Sequence, residues 1–85
     1  MSYKVIKFYA TWFPACYHVD QVLNSIENKP EITNVDIEEQ EEYASGFNIR
    51  GLPTLIKFDS NDQEISRKVG LVSKEELETW LNNES

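Results

Sequence analysis

The sequence contains one cysteine, Cys16, in 85 residues, so no intrachain disulfide can form. A chain this small without a covalent staple depends on its core, and a lone thiol points to a reducing, cytoplasmic address. Cations are also scarce: eight Lys and Arg stand against fifteen Asp and Glu, for a net charge of −7. Binding nucleic acid or an anionic lipid surface means neutralising phosphates with Lys and Arg, and this balance argues against both partners. No apolar run approaches the ~20 residues needed to span a bilayer. Internal repeats and low-complexity linkers are lacking as well. The opening Met1-Ser2-Tyr3-Lys4 runs at once into a strand-like pattern, from which no secretory leader is expected.

What is present can build a core. Hydrophobic residues make up 40% of the chain and aromatics 12%, which excludes a disordered tail and fits one monomeric domain over residues 1–85. Residues 3–9 (Y-K-V-I-K-F-Y) read as a strand. Pro14 then suits the first turn of a helix, where its missing N–H is not needed. Ala15, Val19, Val22 and Ile26 recur at helical spacing and predict one apolar face running to the Asn28-Lys29-Pro30 segment. A short β-branched strand follows at 32–37, then an acid-rich helix from Glu38 that stops at Gly46. Residues 54–58 and 64–69, joined by a polar turn, predict a hairpin ended by Gly70. Ser73 with Glu76 forms a capping box that opens a last helix through Leu77, Trp80 and Leu81. The order β-α-β-α-β-β-α implies an α/β fold: a mixed four-stranded sheet with helices on its faces, the first two strands parallel.

Two stretches carry chemistry. Ala10-Thr11-Trp12-Phe13-Pro14-Ala15-Cys16 lies where a strand gives way to a helix, and Ile49-Arg50-Gly51-Leu52-Pro53-Thr54 enters a strand. Together they resemble the thioredoxin family, whose motif A-x-W-C-x-x-C sits at such a junction and whose I-R-G-x-P-T segment carries a cis-proline. The resemblance spans residues 3–82 and implies a minimal thioredoxin fold. It also implies a role in thiol–disulfide exchange, redox homeostasis and electron transport, protein clients or a thioredoxin-reductase-like partner, and no cofactor or metal. In that family a first cysteine at the helix N-terminus attacks the disulfide, and a second, one turn on, resolves the mixed disulfide. The resemblance makes Trp12, Leu52, Pro53 and Gly70 the walls of a substrate groove, with a cis bond between Leu52 and Pro53.

The sequence departs from that pattern at the nucleophile. Phe13 stands at the first cysteine position, and Cys16 holds the resolving one. Three readings follow: a redox-impaired family member, a non-catalytic protein-binding module with Phe13 as an exposed aromatic anchor, or residual monothiol activity through Cys16. Cys16 shares the apolar face with Val19 and Leu23, so it should be a shielded thiol. Lys7 occupies the position of the family's buried proton-shuttling carboxylate and is expected to snorkel or to pair with Asp36 or Glu38. His18 has no second ligand at metal-binding spacing. Trp80 reads as core, and Tyr17 as either a rim contact or a plain surface residue.

Overall fold

The computed structural model describes residues 3–83; Met1, Ser2, Glu84 and Ser85, and with them the question of a leader, lie outside the described residues. The elements run β1 (Tyr3–Tyr9), α1 (Pro14–Asn24), β2 (Ile32–Asp36), α2 (Glu41–Ser45), β3 (Thr54–Asp59), β4 (Glu64–Val69) and α3 (Lys74–Asn82). One sheet forms in the order β2-β1-β3-β4. β1 pairs parallel with β2, with Val5 opposite Ile32 and Phe8 opposite Val35. β3 runs antiparallel to both β1 and β4. The mixed four-stranded sheet read from the sequence is therefore the one observed.

Strand alternation divides the core into two layers. Val5 and Leu55 face one side, where they pack with Val19, Leu23 and Ile26, and with Leu77, Trp80 and Leu81 of α3. Ile6, Phe8, Ile56 and Phe58 face the other, with Phe47 and Ile49 of the segment after α2 packed over them. Phe47 sets the position of α2, because its ring meets Phe8 at 5.0 Å, Tyr43 at 5.1 Å and Phe58 at 5.6 Å. Offset and edge-on aromatic pairs of this kind add about 0.5–1.5 kcal/mol each beyond area burial.

Several boundaries differ from the sequence reading. α1 stops at Asn24, short of the Asn28-Lys29-Pro30 segment. Ser25 closes it by donating its hydroxyl to the Val22 carbonyl at 2.6 Å. Ile26 stays buried through a tight turn, its N–H reaching the Leu23 carbonyl at 3.1 Å, so the apolar period outlasts the helix. α2 begins at Glu41 because the Asp36 carboxylate holds Glu38 and Glu39 in a turn, accepting from their N–H groups at 2.9 and 3.4 Å. β2 ends at Asp36 and β3 extends to Asp59. Of the capping box read from the sequence the N-cap half is present: Ser73 Oγ accepts from the Glu76 N–H at 3.1 Å, while the Glu76 carboxylate accepts from Lys68 Nζ at 3.0 Å.

Two lysines lie inside the sheet on its α1/α3 face. Lys7 pairs with neither Asp36 nor Glu38, and the correction has a simple cause. Strand alternation points Lys7 toward α1, where Asp20 is within reach, and its Nζ is ion-paired to Asp20 Oδ1. The Lys7 side chain is only 7% exposed. Lys57, on β3, was not singled out in the sequence at all. It is fully buried, and its Nζ donates to the carbonyls of Trp80 and Asn83 at the C-terminal end of α3. A cation placed there meets the negative end of the helix dipole. Its amine also lies 4.7 Å from the Tyr3 ring and 4.9 Å from the Trp80 ring.

Candidate functional site

The site is built at the junction of β1 and α1. Ala10 is buried under the chain reversal, and the Phe13 N–H closes the turn on the Ala10 carbonyl at 3.3 Å. Phe13 is the N-cap of α1 in extended conformation, with Pro14 at the first helical position. An N-cap normally supplies a side-chain acceptor for the first free N–H groups of the helix. Phe13 supplies none. The same location would stabilise an anionic sulfur, because unpaired N–H groups and the positive helix end converge there. The residue present therefore leaves that electrostatic preparation unused.

Around this turn the aromatic side chains are arranged against one another. Trp12 is 59% exposed, and its Nε1 donates to Glu38 Oε2 at 2.8 Å, which fixes the indole plane. Phe13 meets Trp12 edge-on at 5.6 Å. It is half-buried, which corrects the expectation of an exposed anchor. The ring lies against Trp12 and lines a cavity of about 820 Å³ that also reaches Leu52. Cys16 is only 3% exposed, and its backbone N–H bonds the Phe13 carbonyl at 3.0 Å. Tyr17 is exposed, its hydroxyl accepting from Gln21 Nε2 at 2.9 Å. His18 is exposed too, and among the described residues no group of three His, Cys, Asp or Glu could hold a metal ion.

The second half of the site lies at the entry to β3. The Leu52–Pro53 peptide bond is cis. Pro53 is buried, and its carbonyl accepts from the Gly70 N–H at 2.8 Å, tying the entry of β3 to the exit of β4. Gly70 has φ +79°, a left-handed conformation that favours glycine. Gly51 has a different role: a Cβ there would lie 2.9 Å from Val69 Cγ1, so any larger residue would have to displace the Val69 side chain. Thr54 Oγ1 donates back to the Gly51 carbonyl at 2.7 Å and closes the loop. Val69 and Leu71, on either side of Gly70, are 48% and 64% exposed.

The structure thus gathers Trp12, Phe13 and Leu52 around one cavity and joins Pro53 to Gly70 by a hydrogen bond. Cys16 is buried and does not line that cavity. Asp20 follows Cys16 by one helical turn and so lies on the same face of α1. At the position where the resemblance implies a carboxylate, the sheet presents the Lys7 ammonium already engaged by Asp20. An ammonium has no lone pair with which to take a proton from a thiol.

The chain as a whole is similar to known proteins. The thioredoxin family model matches residues 2–83. The thioredoxin of Buchnera aphidicola from Acyrthosiphon pisum is 34% identical over 85 residues, covering 95% of this chain and 78% of the relative. That of Rickettsia bellii is 30% identical over 83 residues, covering 93% and 78%. Among solved structures, Malassezia sympodialis thioredoxin superposes with a TM-score of 0.79 at 29% identity, covering 94% of this chain and 72% of that one. With the match running through every strand and helix described above, the chain belongs to the thioredoxin family.

Proposed function

We propose that this chain is a protein-binding member of the thioredoxin family that holds extended client segments at the cis-proline edge, with disulfide turnover impaired by Phe13. One observation carries the reading: the exposed N-terminal turn of α1 bears Phe13, while the single thiol, Cys16, is 3% exposed. Disulfide reduction needs a thiolate to attack one sulfur and a second thiol to break the resulting mixed disulfide. One thiol can perform only the first step. The buried Cys16 is poorly placed even for that, which weighs against the monothiol reading.

The binding half of the reading is supported by what surrounds Pro53. An extended peptide can add beside the half-buried Leu52, and the exposed side chains of Trp12, Val69 and Leu71 offer apolar contact. Clients would be unfolded or extended protein segments, met by a monomer in a reducing, cytoplasm-like compartment. The described residues include no helix long and apolar enough to cross a membrane. The test is titration of a reduced, carboxymethylated unfolded protein, which contains no reactive thiol, followed by tryptophan fluorescence. Binding that is weakened about tenfold or more by Leu71→Asp is expected, since removing one well-packed contact costs more than about 1 kcal/mol. Absence of binding to the thiol-free client contradicts the proposal.

A further inference from the structure

We propose that the cavity between the C-terminal half of α1 and β2 binds a small linear zwitterion, a carboxylate and a primary ammonium joined by a short alkyl chain. It shares no residue with the α2-side cavity that Phe13 lines. The cavity measures about 560 Å³, within the range of small-molecule sites. Lys7 is the most buried charge in its lining, its side chain 7% exposed against 40% for Asp20. The Lys7 Nζ donates to Asp20 Oδ1, and among the described residues it makes no other hydrogen bond. An ammonium carries three protons, so two are left to meet a ligand carboxylate. Strand register sets Asn34 beside Lys7, and Asn24 follows Asp20 by one turn of α1. Both line the cavity, and neither side-chain amide is bonded to another described group. The ammonium and the two amides together form a donor set for one carboxylate.

The rest of the lining suits the opposite charge. Glu27 and Glu31 are exposed on the cavity, and neither is held in an ion pair among the described residues. α1 ends at Asn24, so the negative end of the helix dipole reinforces them. Lys29 turns its amine to the Ile26 carbonyl at 2.8 Å, an acceptor outside the lining. Leu23, Pro30 and Ile32 supply apolar wall for alkyl carbons. Two cations, Lys7 and Lys29, stand against three acids, Asp20, Glu27 and Glu31, so the lining as a whole does not draw in a simple anion. A simple amine, in turn, leaves the Lys7 ammonium and the two amides without an acceptor. A molecule with both charges satisfies both sets of groups, and an ω-amino acid has that form.

The experiment titrates isotope-labelled protein with ω-aminohexanoate, hexanoate and hexylammonium to ~50 mM, read by amide NMR shifts. ω-Aminohexanoate is expected to move the Asn24 and Asn34 side-chain signals and to bind about tenfold tighter than either analogue, since each lacks one charge-assisted contact. Lys7→Met/Asp20→Asn removes the ammonium without stranding a buried charge, and should weaken ω-aminohexanoate to about the level of hexylammonium. Glu27→Gln/Glu31→Gln should weaken it to about the level of hexanoate. Asn34→Leu, at an exposed position clear of the ion pair, should weaken ω-aminohexanoate and hexanoate and spare hexylammonium. Circular dichroism verifies that each variant is folded; if the Lys7 variant is not, Asn34→Leu and the analogues decide. Hexylammonium binding as tightly as the zwitterion would reduce the site to a surface of acids and overturn the proposal. Equal binding of hexanoate, no shift at ~50 mM, or shifts confined to Trp12 and Leu52 would overturn it too.

Discussion

Replacing Asp20 by Asn tests how the sheet tolerates a lysine at the position where the resemblance implies an acid. The substitution preserves shape and removes one charge, leaving the Lys7 ammonium, 7% exposed, without its ion-pair partner. Removing one member of a fully buried pair costs about 3–5 kcal/mol, and breaking an exposed pair costs about 0–1 kcal/mol. Here one partner is buried and the other is 40% exposed, so water can reach the carboxylate end. An intermediate loss of about 2 kcal/mol is expected. For a domain of this size that corresponds to a fall in Tm of roughly 8–16 °C. Urea unfolding gives the difference directly as a shift in midpoint at constant slope. The second arm is Lys7→Met/Asp20→Asn, which removes both charges and fills the space with an apolar chain. It should be more stable than Asp20→Asn alone by at least about 1 kcal/mol, because the unpaired buried charge is gone. A loss below about 0.5 kcal/mol for Asp20→Asn, or no recovery in the double variant, refutes the reasoning.

Three further outcomes are expected. Burial pushes the Lys57 amine below its ordinary 10.5, so within the window below pH 10.5 the unfolded chain binds more protons and the folded chain gains stability as pH rises. The stability of the parent minus that of Lys57→Met should therefore climb toward pH 10.5, and a flat or falling difference by urea titration contradicts this. Cys16 alkylation in the folded protein should be roughly a hundredfold slower than in urea, because a thiol 3% exposed reacts only through opening; comparable rates would show an accessible sulfur. Ser73→Ala removes the acceptor for the Glu76 N–H and should cost about 1 kcal/mol, measured by the same unfolding midpoint, whereas no change would mean the cap adds nothing.

Local patterns made most of the fold legible. The Ser73 N-cap, the polar turn before β4 and the β-branched runs each act over a few residues, and each appears where its pattern lies. Helix ends were less legible because tertiary contact keeps Ile26 buried beyond the last turn of α1. The partner of Lys7 required knowing which face of β1 meets α1; alternation with Val5 was a usable signal, and Asp20 lies on the helix that packs there. Lys57 could have been noticed the same way, as a charge two residues from Leu55 and between the apolar Ile56 and Phe58. What no local pattern reveals is the capture of its ammonium by the end of α3, since those carbonyls come from residues 23 and 26 positions away. The positions of Trp12, Phe13, Leu52, Pro53 and Gly70 were legible through motif spacing. The half-burial of Phe13 and the α2-side cavity arise from packing between distant segments.

The central claim is that position 13 decides whether this fold turns over disulfides, and the most direct measurement is the reduction rate of a model disulfide substrate with a thiol reductant in excess. The parent, Phe13→Cys, Cys16→Ser and the double variant are compared at equal concentration. The parent should match Cys16→Ser at the uncatalysed rate. Phe13→Cys should recover catalysis, because it restores a thiol at the helix N-terminus one turn from Cys16. Recovery should be partial, since Lys7 still offers no base beneath the pair. A parent rate well above background that Cys16→Ser abolishes would contradict the claim and establish Cys16 as a working monothiol.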